Sequence, residues 1–188
     1  MATLNVTHTE SLVLNGQEQG STNTLSITGI NNVDTDYFCV FNADGSFNPN
    51  ELEKMMSKIN NENLDFIFAS RYEKNSKSDD DTLLTYIGNK FFTLIGRIFF
   101  KLNITDILYT FVLGKTDKAK NLNLTSFDFG FCVELPIETE RLKFIYESLP
   151  TIERKRLAGK VKVRSFIDGY KILKSMILIF FTSKRKNF

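Results

Sequence analysis

The sequence predicts an α/β fold, in which a mostly parallel sheet is flanked by helices and a C-terminal amphipathic helix follows. Two observations support this class. Apolar runs of strand length alternate along the chain with stretches of helical periodicity, as they do in proteins whose strands are joined by crossover helices. In addition, 188 residues with 42% hydrophobic content are enough to bury one substantial core.

The first predicted strand is the apolar run at residues 37–41, whose sequence YFCVF is typical of a strand buried on both faces. A helix is predicted to follow, with Asn48 as its N-cap and Pro49 at its first helical position. The apolar residues of this helix recur at i, i+3, i+4 and i+7, and we expect them to face the sheet. They are Leu52, Met55, Met56 and Ile59.

The same patterns predict the remaining elements in chain order. Before the first strand, residues 21–31 are expected to be helical. After the first helix come a strand at residues 65–69, a helix at 83–101, a strand at 108–113, a strand-to-helix segment at 127–142, a strand at 144–148 and a final helix at 165–181.

Charge is distributed unevenly along the chain. Residues 1–153 carry 13 Lys and Arg against 21 Asp and Glu, a net charge of −8, whereas residues 154–188 carry 11 against one, a net charge of +10. Such a basic end attracts nucleic acid, an anionic membrane surface or a phosphorylated ligand, and charge alone does not choose among them. The apolar residues mixed into it favour the membrane. Nucleic-acid binding is not expected, because the segment lacks interleaved stacking aromatics and a binding motif.

The cysteines and the start of the chain indicate a compartment. Cys39 and Cys132 both lie in apolar runs, where we expect buried free thiols, no disulfide and a reducing environment. The first twenty residues are polar and show no secretory signal. We therefore expect the protein to remain inside the cell.

The tripeptide Asn42-Ala43-Asp44 follows the first predicted strand, and ligands of open α/β sheets bind at the carboxyl ends of strands. A carboxylate there, together with substrate phosphates, could hold Mg²⁺ or Mn²⁺ and so neutralise a departing nucleoside diphosphate. A simple turn at Asp44-Gly45 accounts for the same residues. Taken alone, the tripeptide favours the turn.

Residues 37–56 as a whole resemble the strand, acidic metal motif and proline-started helix of family 2 glycosyltransferases of the dolichol-phosphate mannose synthase type. Further segments match that family in the same order, and together they cover residues 20–173. They are Phe68-Ala69-Ser70-Arg71-Tyr72, Gly88-Asn89, Asp106, Phe131-Cys132-Val133-Glu134-Leu135, Pro150-Thr151-Ile152-Glu153-Arg154, Gly159-Lys160-Val161-Lys162 and residues 167–173.

The resemblance implies a fold and an activity. The fold would be a partial GT-A, Rossmann-like domain over residues 1–164, followed by a basic amphipathic membrane-interface helix and tail over residues 165–188. The activity would be inverting transfer of a sugar from a nucleotide-diphosphate sugar to a polyprenyl phosphate or a related acceptor. Such an enzyme would be peripheral at the cytoplasmic face of the cell membrane.

The resemblance also implies roles for single residues. Asp44 would bind the metal, and Asp106 and Glu134 would be catalytic. Residues 154–164, which we call the basic segment, resemble the family's Arg-x-x-Gly-x-Ser-Lys loop and would clamp phosphates. The residues expected to bind the phosphates of donor or acceptor are Asn42, Arg71, Arg154, Lys160 and Lys162.

Other roles stay open for these residues. Asp106 is a general base if the acceptor is a hydroxyl, but a phosphate acceptor needs no base, and Asp106 would then orient the donor or the metal. Arg71 is equally explained as a surface arginine at the start of a loop. Glu134 could be a helix-start carboxylate stabilised by the helix dipole, and residues 154–164 could form a solvated or lipid-facing patch.

The sequence also departs from the family. Asn42 stands where an aspartate is usual, Tyr109-Thr110-Phe111-Val112 replaces Ser-Gly-Phe-Arg, and Val161 replaces a serine. No segment resembles the family's N-terminal strands, which hold the nucleotide. We therefore expect the chain alone to bind a nucleotide sugar weakly or not at all, unless a partner chain supplies those strands. A non-catalytic, membrane-associated interaction module is the alternative.

The final helix is apolar on every side at residues 176–181 and is followed by the basic residues Lys184-Arg185-Lys186. It is shorter than the stretch of about 20 apolar residues that spans a bilayer. We expect an interfacial helix held by its basic tail. Core packing or a dimer contact would explain the same pattern.

Overall fold

The computed structural model describes residues 29–42, 44–126, 129–157 and 165–185, and residues 29–32 are helical. Most of the helix predicted at residues 21–31 therefore lies outside the described residues. In chain order the elements are β1 (Tyr37–Val40), α1 (Glu51–Asn61), β2 (Phe66–Ser70), β3 (Lys77–Ser78), α2 (Leu83–Phe100), β4 (Val112–Lys115), α3 (Thr116–Lys120), α4 (Gly130–Arg141), β5 (Tyr146–Pro150), β6 (Ile152–Glu153) and α5 (Ser165–Arg185).

The main sheet has four strands in the order β1-β4-β2-β5. The prediction of a mostly parallel sheet is not confirmed, because two of the three pairings, β4 with β1 and β4 with β2, are antiparallel, and only β2 and β5 pair in parallel. The physical reason is the connection at residues 101–111. It returns the chain to the edge where β1 and β2 end, so that β4 runs back between them.

One edge of this sheet brings several of the predicted site residues together. β1, β2 and β5 run in the same direction and β4 runs against them. The first three strands therefore end where β4 begins. We call this the carboxyl edge, and it comprises residues 41–42, 44–46, 70–73, 105–111 and 150–157. In open α/β sheets, ligands bind outside the carboxyl ends of the strands.

A second, two-stranded sheet lies beside this edge. β3 and β6 pair in parallel, with Lys77 opposite Ile152 and Ser78 opposite Glu153. The Lys77 N–H also donates to the carbonyl of Thr151 at 3.2 Å. The polar loop between β2 and α2 is thus held against the strand that continues from β5.

Two apolar clusters cover the two faces of the main sheet. β2 is buried along its whole length, and its side chains alternate between them, with Phe66 and Phe68 in one and Ile67 in the other. The cluster around Phe66 includes residues of α2, α4 and α5. The cluster around Ile67 contains the predicted apolar face of α1, which is confirmed. Met55 and Ile59 are fully buried, and Leu52 and Met56 pack partly buried against them.

The start of α1 is later than predicted. Pro49 lies in a turn before the helix, since the Glu51 N–H donates to Asn48 O at 3.1 Å and the Leu52 N–H donates to Pro49 O at 3.0 Å. The Asn48 side chain supports this turn by accepting a hydrogen bond from the Asn50 N–H at 3.3 Å. The N-cap is therefore Asn50 and not Asn48, and the helix begins at Glu51, two residues later than predicted.

β1 is less buried than predicted. Phe38 is buried, but Cys39 is exposed, and Tyr37 and Val40 are half buried. The reason is that β1 pairs with β4 alone among the described residues and so forms an edge of the sheet. The described residues contain no disulfide, and neither Cys39, which is exposed, nor Cys132, which is half buried, has the full burial we expected.

α5 packs on the Phe66 cluster through Ile172, Met176 and Ile179, whereas Phe166 and Tyr170 are exposed. The predicted division of the chain at residue 164 stays a prediction. Within the part of the chain that the structure describes, no helix combines the length and the apolar content needed to cross a membrane.

Candidate active site

Arg71 and Asp106 form a buried ion pair at the carboxyl edge. Arg71 directly follows β2, and Asp106 lies in the connection before β4. Arg71 Nε donates to Asp106 Oδ2 at 2.7 Å and Nη2 donates to Oδ1 at 3.0 Å, so the contact is bidentate. The Arg71 backbone N–H donates to the same carboxylate at 3.1 Å. Both residues were predicted separately, and the structure brings them together.

The Asp106 carboxylate is fully hydrogen-bonded. The side-chain amide of Asn89, on α2, is its fourth donor, and Asn89 is itself held by the Thr93 hydroxyl at 3.0 Å. Asp106 is only 2% exposed. A carboxylate has about four lone-pair sites, and these four donors occupy them. Of the two roles left open for Asp106, orientation agrees better with these contacts than general base catalysis.

Two tyrosines and a second carboxylate surround Arg71. Its guanidinium carbon lies 4.5 Å from the ring centroid of Tyr109 and 5.1 Å from that of Tyr72, within cation–π range. Nη1 donates to Glu153 Oε2 at 3.4 Å. Burial opposes the charged form of Arg71, but the charge and hydrogen bonds of Asp106 together with Glu153 outweigh it, and the pKa of the guanidinium is raised. Arg71 is therefore a permanent cation.

Glu153, in β6, accepts fewer hydrogen bonds than Asp106, the other acid beside Arg71. Its carboxylate accepts hydrogen bonds from Arg71 and from the Ser78 hydroxyl. Burial raises its pKa, and Arg71 and Ser78 only partly offset this effect. Sequence reasoning did not select Glu153 as a site residue, although it lies in the family-like segment Pro150-Thr151-Ile152-Glu153-Arg154.

Two buried hydroxyls at the carboxyl edge, Tyr109 OH and Thr151 Oγ1, have no hydrogen-bond partner in the part of the chain that the structure describes. Leaving such a group unpaired costs about 1–3 kcal/mol. A bound ligand or an ordered water would supply the missing partner. Tyr109 lies in the segment that departs from the family pattern, and that departure was the signal in the sequence.

Asp44 forms a turn at the end of β1. Its Oδ1 accepts hydrogen bonds from the Ser46 N–H at 3.0 Å and the Ser46 hydroxyl at 2.6 Å. Gly45 follows with φ of +84°, a conformation that favours glycine. The turn interpretation therefore describes the local backbone. It does not exclude a role in a site, because the second oxygen, Oδ2, faces Arg156 Nη1 at 4.0 Å.

Residues 154–157, the described start of the basic segment, lie directly across this turn. The Arg154 N–H donates to Ser46 O and the Leu157 N–H donates to Asp44 O, both at 2.8 Å. Leu157 also covers Gly45, where an added Cβ would lie 2.8 Å from Leu157 Cγ. The carboxylate of Asp44 and the described part of the basic segment therefore share one edge of the molecule.

Arg156 is the basic residue that sequence reasoning passed over. Its Nε donates to Asp80 Oδ2 at 2.8 Å, and its Nη1 faces Asp44. The resembled loop has an arginine three residues before a glycine, and that spacing selects Arg156 before Gly159. Arg154, which we predicted, instead donates from its side chain to Asn48 Oδ1 at an exposed position.

Three other residues were predicted to bind phosphate, namely Asn42, Lys160 and Lys162. Asn42 is exposed at the end of β1. Lys160 and Lys162 lie outside the described residues. Their roles, like that of Arg154, stay predictions.

Glu134 lies away from the Arg71–Asp106 pair. It is buried on α4, where its carboxylate accepts hydrogen bonds from the N–H groups of Thr125 at 2.9 Å and Ser126 at 2.7 Å. These contacts hold the loop before α4, and Glu134 borders a cavity of about 290 Å³ between α4 and α5. Its catalytic role stays a prediction.

The donor set around Asp44 does not suit a divalent cation. No three or more His, Cys, Asp or Glu side chains within the described ranges form a group that could hold one. One Asp44 oxygen is occupied by Ser46, and the other faces the positive charge of Arg156. Asn42 offers only a neutral amide, whereas Mg²⁺ takes carboxylates together with substrate phosphates.

Comparison with known proteins places the chain in a family. A search of curated proteins found no match. The family model described as glycosyl transferase family 2 matches residues 17–122, which is more than half of the 188 residues and includes Asp44, Arg71 and Asp106. The chain therefore belongs to glycosyl transferase family 2.

Proposed function

We propose that this protein transfers a sugar from a nucleotide-diphosphate sugar to a polyprenyl phosphate or a related lipid phosphate at the cytoplasmic face of a membrane. Family membership supports glycosyl transfer in general, with a nucleotide-sugar donor and an acceptor, and fits a GT-A fold. The observation that carries the proposal is the convergence of Asp44, Arg71, Asp106 and Arg156 at the carboxyl edge.

The donor diphosphate is assigned to the side of the edge where the basic segment crosses the Asp44 turn. A guanidinium fork matches phosphate oxygens well. Arg156 is half buried, and Asp80 accepts bonds from only its Nε and Nη2 groups. Arg156 therefore retains N–H groups for a phosphate. Lys160 and Lys162 are proposed to add to this charge, as the resemblance implies.

Arg71 is proposed to contact a phosphate from a fixed position. Asp106 and Glu153 accept three of the bonds from its guanidinium, and an arginine side chain offers five N–H donors. Two donors thus remain for a ligand. The charge of Arg71 is already balanced by two carboxylates, so its contribution is orientation more than net attraction.

The contacts of Asp106 favour a phosphate over a hydroxyl as the acceptor. A hydroxyl acceptor needs a base, and Asp106 is saturated with donors. A phosphate monoester oxygen is already anionic near neutral pH. It attacks the anomeric carbon directly while the bond to the nucleoside diphosphate breaks, and inversion follows from this single displacement.

An exposed apolar face supports a lipid acceptor. Large apolar residues recur on the outer face of α2, opposite the buried Asn89, at every third or fourth position. A similar series lies on α5, and the rings of Phe99 and Phe180 join the two helices at 5.9 Å. Contiguous apolar surfaces of this kind mark protein or membrane interaction sites. The series are Leu83, Ile87, Phe91, Leu94 and Ile98 on α2, and Phe166, Tyr170, Ile177 and Phe181 on α5.

Membrane association is also expected of the competing proposal, in which the protein is a non-catalytic interaction module. Transfer of a labelled sugar from UDP- and GDP-sugars to polyprenyl phosphate in liposomes distinguishes the enzyme from the interaction module. The proposal predicts transfer by the full chain that Arg71→Gln reduces, with vesicle binding unchanged. Vesicle binding without transfer from any of these donors would favour the interaction module. The weak donor binding expected from the sequence stays a prediction, and calorimetry with UDP- and GDP-sugars tests it.

A further inference from the structure

The positive charge beside Asp44 is a guanidinium that belongs to the chain itself. Arg156 Nη1 lies 4.0 Å from Asp44 Oδ2, and Arg156 Nε donates to Asp80 Oδ2 at 2.8 Å. One cation thus lies between two carboxylates. The Arg156 side chain is 28% exposed, so it remains accessible to a ligand entering the edge.

The backbone fixes this arrangement. The N–H groups of Arg154 and Leu157, on either side of Arg156, donate to the carbonyls of Ser46 and Asp44 at 2.8 Å. The left-handed Gly45 makes room for Leu157. The position of Arg156 relative to Asp44 is therefore set by main-chain bonds as well as by its own side chain.

A divalent ion at Asp44 would compete with this guanidinium. Asp44 Oδ1 is engaged by Ser46, and Oδ2 is the oxygen that faces Arg156. A metal ion there would lie close to a like charge. The neutral side chain of Asn42 supplies no second carboxylate to compensate.

We infer that Arg156 takes the place of a divalent cation, so that this protein binds the diphosphate of its donor without metal. The identity of the ligand rests on the proposed function. When the bond between the anomeric carbon and the diphosphate oxygen breaks, its electron pair passes to that oxygen, and Arg156 donates a hydrogen bond to it from a fixed position. The acceptor phosphate oxygen supplies the electron pair of the new bond, and no proton is transferred.

The first test uses the metal alone. Free Mn²⁺ is measured by electron paramagnetic resonance with the full chain, with Arg156→Gln, and with Lys155→Gln as an exposed neighbouring control. We expect the unmodified chain and the control to bind Mn²⁺ no more tightly than about 1 mM, and Arg156→Gln to bind about tenfold more tightly, because Asp44 and Asp80 lose their counter-charge. Equal Mn²⁺ affinity of all three proteins, or micromolar binding by the unmodified chain, overturns the inference.

The second test uses inorganic pyrophosphate, which carries a diphosphate without a base or sugar. Calorimetry in EDTA should detect binding by the unmodified chain, and added Mn²⁺ should change the affinity by less than about threefold. Arg156→Gln should lose about ten- to a hundredfold. Arg156→Lys keeps the positive charge and controls for a folding defect. Its affinity for pyrophosphate should lie between those of the unmodified chain and Arg156→Gln. Binding only in the presence of Mn²⁺, or none at all, overturns the inference.

Sugar transfer distinguishes failure of the inference from failure of the proposed function. Transfer that requires Mn²⁺ overturns metal independence and leaves the glycosyltransferase proposal in place. Pyrophosphate binding in EDTA without transfer from UDP- or GDP-sugars supports the role of Arg156 and contradicts the proposed function.

Discussion

The guanidinium of Arg71 and the carboxylate of Asp106, 35 residues apart in sequence, meet in a two-point ion pair with Nε to Oδ2 at 2.7 Å and Nη2 to Oδ1 at 3.0 Å. The pair joins the end of β2 to the connection before β4. It also reaches α2 through Asn89. The same helix carries the exposed apolar face that we propose for the membrane, so the site and that face share one rigid element.

Removing the charge of Asp106 should destabilise the fold. Asp106→Asn keeps the shape but leaves Arg71 with Glu153 as its one remaining carboxylate, and breaking a buried pair costs about 3–5 kcal/mol. Urea unfolding measures the loss. Asp79→Asn is the control, because its ion pair with Lys77 is exposed and contributes less than about 1 kcal/mol. Equal stability of the two variants would contradict the role of Asp106 as a buried anchor.

Glu153 should make stability depend on pH in a defined direction. Its folded pKa is raised above the ordinary value of 4.5, so the folded state keeps the proton after the unfolded state has lost it. Its contribution is therefore present below the unfolded pKa and lost as pH rises through the folded pKa. Glu153→Gln should remove this fall. Unfolding free energies from pH about 4 to about 7 test it, with exposed Glu147→Gln as control. A slope unchanged by Glu153→Gln would contradict the assignment.

A side chain at Gly45 should lower the free energy of unfolding. Gly45→Ala places a Cβ in a left-handed conformation and 2.8 Å from Leu157 Cγ, so we expect a loss of about 1–2 kcal/mol from the conformation alone. Gly88→Ala is the matched control, because nothing lies within 4 Å of its added Cβ and alanine favours the helix. Thermal unfolding compares the two. A Gly45→Ala protein as stable as Gly88→Ala would show that the turn is not held as described.

Replacing Glu134 should lower the free energy of unfolding, because its carboxylate holds the loop before α4. Its carboxylate accepts hydrogen bonds from the N–H groups of Thr125 and Ser126, so Glu134→Ala should remove a charged acceptor and cost about 1.5–3 kcal/mol. Urea unfolding checks this, and exposed Glu62→Ala is the control. Unchanged stability together with loss of sugar transfer would instead support the catalytic role predicted from the sequence.

The apolar face of α2 should determine vesicle binding. Phe91 and Ile98 are more than half exposed, and burying such a side chain contributes about 1.5–3 kcal/mol. Phe91→Ser with Ile98→Ser should therefore weaken binding to anionic vesicles by at least about tenfold in sedimentation. Leu142→Ser, at the end of α4, should not. Undiminished binding of the double variant would exclude this face as the membrane surface.

Local patterns predicted the elements better than their arrangement. The periodicity of Met55 and Ile59 fixed the buried face of α1 because a helix must turn that face to the core. Nothing in the sequence of β4 encodes its direction, since alternation is the same in either sense. The sheet was therefore predicted to be mostly parallel, and β1 to be buried on both faces.

The sequence predicted several residues of the candidate site, but it did not predict which of them would contact one another. Arg71 and Asp106 came from the resemblance, but their pairing depends on the reversed strand that brings residues 105–111 to the end of β2. Arg156 was passed over for Arg154, although the spacing to Gly159 pointed to it. Tyr109 and Glu153 had no motif, and only the topology places them beside Arg71.

Hydrogen exchange on addition of UDP or GDP tests the central claim most directly. If the Asp44 turn and the basic segment form one diphosphate site, millimolar nucleotide should slow exchange in both, at residues 44–46 and at 154–157, while the Glu134 loop at 123–126 stays unchanged. Protection of only one of the two segments, or of neither, would contradict a shared site and with it the proposed sugar transfer.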